Sequence, residues 1–181
     1  MKKILIIIFI ALLTGCKNRN VITKNIKKQN CIININYPIT NIKKLNKEIK
    51  LYIKTNYKTL KKNFCSNSNQ ININFKKIEL NNYLTIIINI TTNNEKNIKT
   101  FTYNKNTKKK LNLFDILTSN DISILSAKLK ERNINFENIN NSDFYFNEKH
   151  LTIYIDNTKI ELPIGIFDLT FKIKNETTRS K

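Results

Sequence analysis

An α+β domain with a mostly antiparallel sheet and two helices is predicted by three features of the chain. Apolar residues alternate with polar ones over several short segments, which is the period of half-buried strands. Over one long segment, Asn41 to Phe64, the apolar period lengthens to three and four, as on one side of a helix. Strand-like segments then follow one another in runs, so few parallel crossovers are needed and the helices can pack on one sheet face. The predicted order is β-α-β-β-β-α-β-β-β, over residues 31–174, with a polar tail at 175–181.

The segment before the domain reads as an export signal and a tether. Lys2 and Lys3 precede an apolar run from Ile4 to Leu13, and Thr14-Gly15-Cys16 follows. A positive end, about 7–15 apolar residues and small residues before a cut are the parts of a secretory signal. The Leu13-Thr14-Gly15-Cys16 tetrad resembles the bacterial lipobox, which implies cleavage after Gly15 and a diacylglyceryl group on Cys16. A membrane span is the other reading, but it needs roughly 20 apolar residues and Lys17 and Arg19 interrupt this run. Two or more acyl chains hold a protein stably on a membrane. The expected location is therefore extracytoplasmic, lipid-anchored to the cell membrane or the outer membrane. Lys17, rather than Asp, after the lipid cysteine permits outer-membrane sorting by resemblance to known lipoproteins. Residues 16–30 are the lipidated cysteine and a polar tether, in which Val21, Ile22 and Ile26 stand isolated among Lys, Asn, Arg and Gln.

The elements of the domain follow in order. Ile33, Ile35 and Tyr37 alternate with asparagines in a first strand that Pro38 ends. Thr40 is a candidate N-cap for the long helix, whose Ile42, Leu45, Ile49, Tyr52, Ile53, Tyr57, Leu60 and Phe64 share one side. Ile71-Asn72-Ile73-Asn74-Phe75, then Leu84, Ile86, Ile88 and Ile90, then Phe101 and Tyr103 make three antiparallel strands joined at Asn81-Asn82 and Thr92 to Asn97. A polar turn at Asn104 to Lys109 leads to a short extended piece at Leu111 and Leu113. Ser119-Asn120-Asp121 can cap a second helix presenting Ile122, Leu125 and Leu129. Phe144-Tyr145-Phe146, a hairpin at Asn147 to His150, Leu151, Ile153 and Ile155, and finally Phe167, Leu169, Phe171 and Ile173 supply the closing strands.

The chain carries 32 Lys and Arg against 13 Asp and Glu, a formal charge of +19. Removal of residues 1–15 takes two lysines and leaves 30 cations against 13 carboxylates, +17. Such a charge suits an anionic envelope polymer or anionic lipid, and export excludes nucleic acid as a partner. The lysines are scattered, with no run longer than Lys108-Lys109-Lys110, which matches a composition drifted toward Lys, Asn and Ile better than a built patch.

With Cys16 taken by lipid, Cys31 and Cys65 remain as an even pair in a compartment where disulfides persist. A bridge across these 34 positions would stabilise by roughly 3–4 kcal/mol on the chain-entropy model. Against it stands geometry: a helix about 36 Å long packed antiparallel on a strand of about 20 Å would carry Cys65 past Cys31. Bridge and free thiols both stay open.

No catalytic set is present. His150, the single histidine, falls in a predicted hairpin turn without an obvious partner. Two cysteines and one distant histidine do not make a metal site, and no cofactor is implied. The mature chain has one glycine, Gly165, so phosphate-cradling loops and nucleophile elbows are excluded. Asp115, Asp143, Asp156 and Asp168 are the acids that glycosidase-type chemistry would have to pair. A non-catalytic binding module is the expectation.

Three stretches carry a resemblance: Tyr37-Pro38 before the long helix; Thr100-Phe101-Thr102-Tyr103-Asn104 through Thr107-Lys108-Lys109-Lys110-Leu111-Asn112-Leu113-Phe114-Asp115; and Phe144-Tyr145-Phe146 through Leu162-Pro163-Ile164-Gly165-Ile166. In these the chain resembles the family of extracytoplasmic domains of unknown function found in the lysozyme-sensing anti-sigma factor RsiV and beside some peptidoglycan deacetylase domains. Asn104 stands where that family usually has Asp, and Lys108 where it has Gly, which predicts an altered turn. The family's Gly-rich segment is replaced by Thr91 to Thr100. The resemblance implies an envelope-associated module, with lysozyme binding or a degenerate accessory role beside a cell-wall enzyme as alternatives. A signal peptide in place of a cytoplasmic domain implies that this chain does not signal across the membrane alone.

Overall fold

The computed structural model describes residues 20–28, 31–64, 69–93, 95–139, 142–155 and 158–168. Alternation of Ile with Asn drives the first sheet. Its strands are β1 (Val21–Lys28), β2 (Cys31–Pro38), β3 (Asn69–Leu80), β4 (Tyr83–Thr91) and β5 (Lys96–Asn104), in that spatial order. Isoleucines of the inner face share one core with the helix, and asparagines between them pair across β2 and β3. Asn34 Nδ2 donates to Asn72 Oδ1 at 2.9 Å, and Asn36 Nδ2 to Asn74 Oδ1 at 3.1 Å. All neighbours are antiparallel except β2 and β3, which run parallel because α1 (Lys43–Phe64) crosses between them.

Helix α1 starts where a side-chain clamp holds its approach. Thr40 Oγ1 accepts the Ile42 N–H at 3.1 Å, while Asn46 accepts the Thr40 N–H at 2.8 Å and donates to the Thr40 carbonyl at 2.7 Å. Its stripe of Leu45, Ile49, Ile53 and Leu60, with Ile42 just ahead of it, is buried against Ile33, Ile35, Ile71, Ile73, Ile86, Ile88 and Phe101 of the sheet. Burying each such side chain contributes about 1.5–3 kcal/mol, so this interface is the main source of stability for the first half of the domain.

The second half builds its own core. Sheet two consists of β6 (Asp143–Phe146), β7 (His150–Ile155) and β8 (Thr158–Pro163), all antiparallel. It packs with α2 (Leu113–Ile116) and α3 (Ser119–Lys130) through Leu125, Leu129, Phe144, Phe146, Leu151 and Ile153. Tyr83 of β4 joins this core edge to face with Phe146, ring centroids 5.2 Å apart. The N-cap of α3 is Thr118, whose hydroxyl accepts the Asp121 N–H at 3.1 Å while Asp121 Oδ2 accepts the Thr118 N–H at 2.8 Å. Among the described residues no helix is long and apolar enough to cross a membrane.

The α+β class and the broad element order are as predicted, with four differences. Val21–Lys28, expected within the 16–30 tether, forms strand β1 on β2, because Ile22 and Ile26 fall on one face and pack against the first core. The strands divide into two sheets rather than one, and Leu113–Ile116 is a helical turn rather than an extended piece. The third strand of sheet two is Thr158–Pro163, where Ile160 and Leu162 alternate inward. Phe167 and Asp168 follow it as a bend and a turn, and the rest of the closing strand expected at Phe167 to Ile173 lies outside the described residues. At the polar turn, Lys108 has φ 55°, the left-handed conformation that favours glycine.

Candidate ligand-binding groove

A concavity opens at the free edge of the first sheet, between β1 and α1, with a volume of about 240 Å³. Its helical wall is made by Lys50, Lys54 and Tyr57, residues at spacings of four and three that flank the buried stripe. Its floor is apolar, from Ile35 and Ile53, and buried Tyr37 closes one side. Lys24 supplies the opposite wall. It pairs with Ile35 in the β1–β2 register and shares a strand face with Ile22 and Ile26.

Lys24, Lys50 and Lys54 are all exposed. All three line the concavity and bring three positive charges to its apolar floor. Burial raises the Tyr37 phenol above its ordinary value. Lys61 lies 6.0 Å from the Tyr57 ring centroid. Among the described residues that line the groove none is a carboxylate or histidine. Cations around an apolar floor with tyrosines at its sides suit an anionic ligand with a carbon skeleton.

A second, polar cleft of about 190 Å³ lies beside Lys99, Thr100, Lys110 and Asp143. Its one acid is occupied structurally: Asp143 accepts from the Thr100 N–H, the Thr100 hydroxyl and Lys99 Nζ. Nearby, Glu48 accepts from the Tyr103 hydroxyl at 2.8 Å and Lys110 Nζ at 3.0 Å. Burial works to raise the Glu48 carboxyl, but those two hydrogen bonds and the Lys110 charge outweigh it and hold it below its ordinary value. Burial, with Glu48 as acceptor, pushes the Tyr103 phenol strongly upward. Burial chiefly, and the Asp143 charge, push Tyr52 up to about 12.

The other residues singled out from the sequence have mostly local structural uses. Asp115 Oδ2 accepts the Asn112 N–H at 2.6 Å at the start of α2. Asp168 Oδ2 accepts from Asn120 at 3.1 Å. His150 opens β7 after a turn in which Asn147 Oδ1 accepts the Lys149 and His150 amides. Asp156, Cys16 and Cys65 lie outside the described residues. Cys31 is buried and disulfide-bonded. Its β2 position pairs with Asn69 at the start of β3, four positions after Cys65. The parallel crossover thus returns the chain beside Cys31, and the geometric objection to a Cys31–Cys65 bridge loses its force. Among the described residues no group of three or more His, Cys, Asp or Glu could hold a metal ion.

The groove was not visible in the sequence because Lys24 sits in the segment read as tether. The available signal was Ile22 and Ile26, which share a strand face with the residue between them.

No family model matches the chain, and no curated protein matches it. Among solved structures it is similar to that of a DUF3298 family protein from Pseudomonas aeruginosa PAO1, with a TM-score of 0.51 and 9% identity, covering 81% of this chain and 91% of that one. At that identity the likeness is one of fold.

Proposed function

We propose that this protein is a lipid-anchored, extracytoplasmic and non-catalytic envelope module that binds an anionic envelope polymer in the groove between β1 and α1. The observation that carries the reading is the convergence of Lys24, Lys50 and Lys54 on one apolar, tyrosine-walled concavity. Scattered along the chain, these lysines look like compositional drift; brought together they form a clustered footprint. Anchoring through Cys16 follows from the lipobox resemblance. The fold likeness to a DUF3298 family protein supports a domain of that fold and says nothing of its ligand.

The test is co-sedimentation of the mature protein with purified peptidoglycan that retains its anionic polymers, and with the same material stripped of phosphodiester-linked polymer by hydrofluoric acid. Binding to the first that weakens on stripping, weakens with salt and is lost in Lys24→Glu/Lys50→Glu/Lys54→Glu supports the reading. Equal binding by that variant would overturn the groove assignment.

A further inference from the structure

The order seen in β1 changes the distance between the domain and its anchor. Strand β1 begins at Val21 and the Asn20 carbonyl accepts the Ile39 N–H at 2.7 Å, so Asn20 is held against the domain. Four positions separate Asn20 from Cys16, and a chain of that length reaches at most about 14 Å. A flexible tether through residue 30 would instead have spread over roughly 20 Å on average, with a contour near 50 Å.

The end of the sheet that this short link holds near the lipid is basic, with an exposed apolar residue. Ile39, next to Asn20, is 42% exposed. Lys43, Lys44 and Lys47 follow within the first turn and a half of α1, all exposed. Across a hollow of about 680 Å³ stand Lys77 and Lys105, both ion-paired to the single carboxylate Glu79. Glu48, one helical turn along, is committed to Lys110 and Tyr103. Lys17 and Arg19 lie in the link itself.

We propose that this end of the domain, around Ile39 and Lys43, Lys44 and Lys47, docks onto the anionic surface of the membrane that holds Cys16; the proposal rests on the lipid-anchor reading. A link of about 14 Å keeps these lysines within one to two Debye lengths of the phosphates, where each adds to the attraction. Ile39 enters the headgroup layer as an apolar contact. Lys50 and Lys54 then stand about 10–16 Å further along the α1 axis, which leaves the β1–α1 groove open to ligands.

Hydrogen exchange on the mature acylated protein, reconstituted in vesicles of phosphatidylglycerol with phosphatidylcholine or of phosphatidylcholine alone, tests the docking. Amides of residues 39–44 are expected to exchange at least about tenfold more slowly on the anionic vesicles, and high salt should erase the difference. Lys43→Glu/Lys44→Glu/Lys47→Glu, and independently Ile39→Asp, should erase it too, with unchanged exchange in β4 reporting that each variant is folded. Equal exchange on both vesicles, with the acyl mass present on Cys16, would overturn docking and leave the anchor standing. Absence of the acyl mass would overturn the anchor and docking together.

Discussion

Thr100 and Asp143 join the two sheets without sharing a strand ladder. Asp143 Oδ1 accepts the Thr100 N–H at 2.9 Å and its hydroxyl at 3.1 Å, and the same hydroxyl accepts the Phe144 N–H at 2.9 Å. Thr102 continues the seam by donating to the Phe144 carbonyl at 3.2 Å. Thr100→Val keeps the shape and removes the hydroxyl, which leaves a buried Phe144 amide without its acceptor. The expected cost is about 1–3 kcal/mol in urea unfolding, with Thr100→Ser nearly restoring wild-type stability.

Lys108 holds φ 55° in the turn after β5, where Asn104 Oδ1 accepts the Asn106 and Thr107 amides at 2.9 Å each. A side chain in this conformation costs roughly 1–2 kcal/mol, offset in part by the greater unfolded freedom of glycine. Lys108→Gly is therefore expected to stabilise the domain by about 0.5–1 kcal/mol, measured as a rise in the unfolding midpoint. An unchanged or lower midpoint would show that the turn is relaxed as it stands.

What was readable in the sequence was what period alone determines. The α1 stripe through Ile42, Leu45, Ile49 and Ile53 and the β3 to β5 alternation are local patterns, and they fold as read. Period does not say which strands share a sheet, so the division between β5 and β6 was invisible. Edge strand β1 was hidden because Thr23, Asn25 and Lys27 face outward and Lys24 interrupts the apolar inner face, a pattern indistinguishable from a tether until Ile22 and Ile26 are seen against the core. The groove was hidden for the same reason, since Lys24 meets Lys50 and Lys54 only through strand register and helix packing.

Glu48 makes the domain sensitive to acid. Its folded carboxyl titrates below its ordinary value of 4.5, because hydrogen bonds from Lys110 and Tyr103 and the Lys110 charge outweigh burial. A depressed folded value means that the contribution is fully present above about pH 4.5 and is lost as pH falls through the lower, folded value. Glu48→Gln should lower stability at neutral pH by roughly 1 kcal/mol, and the gap to wild type should close toward pH 3. Thermal melts of both proteins across that range check it; a gap independent of pH would assign the effect to packing.

Asp121 is fully buried, and both its oxygens are used. Oδ2 accepts the Thr118 N–H, and Oδ1 accepts the Asp168 N–H at 2.5 Å, which fixes the chain after β8 onto the start of α3. Asp121→Asn would turn an amide donor toward one of two backbone donors. The expected cost is about 2–3 kcal/mol, against about 1 kcal/mol for Thr118→Ala, which loses only the cap hydroxyl. Equal costs for the two variants would mean that the Asp168 contact contributes nothing.

Cys31 has a second, covalent reason to resist unfolding. It is buried at the start of β2, beside the first residue of β3, and Cys65 lies four positions upstream of that residue. Cys16, the other cysteine, is the expected lipid site. Pairing of Cys31 with Cys65 is thus the expected bridge, and closing it removes loop entropy from the unfolded chain across 34 positions. Cys31→Ser should cost roughly 3–4 kcal/mol, whereas the same substitution in protein reduced beforehand should cost far less, since only a small buried thiol is then exchanged. Peptide mapping without reduction should recover residues 31 and 65 in one linked species. Recovery of both as alkylated thiols from the exported protein would refute the pairing.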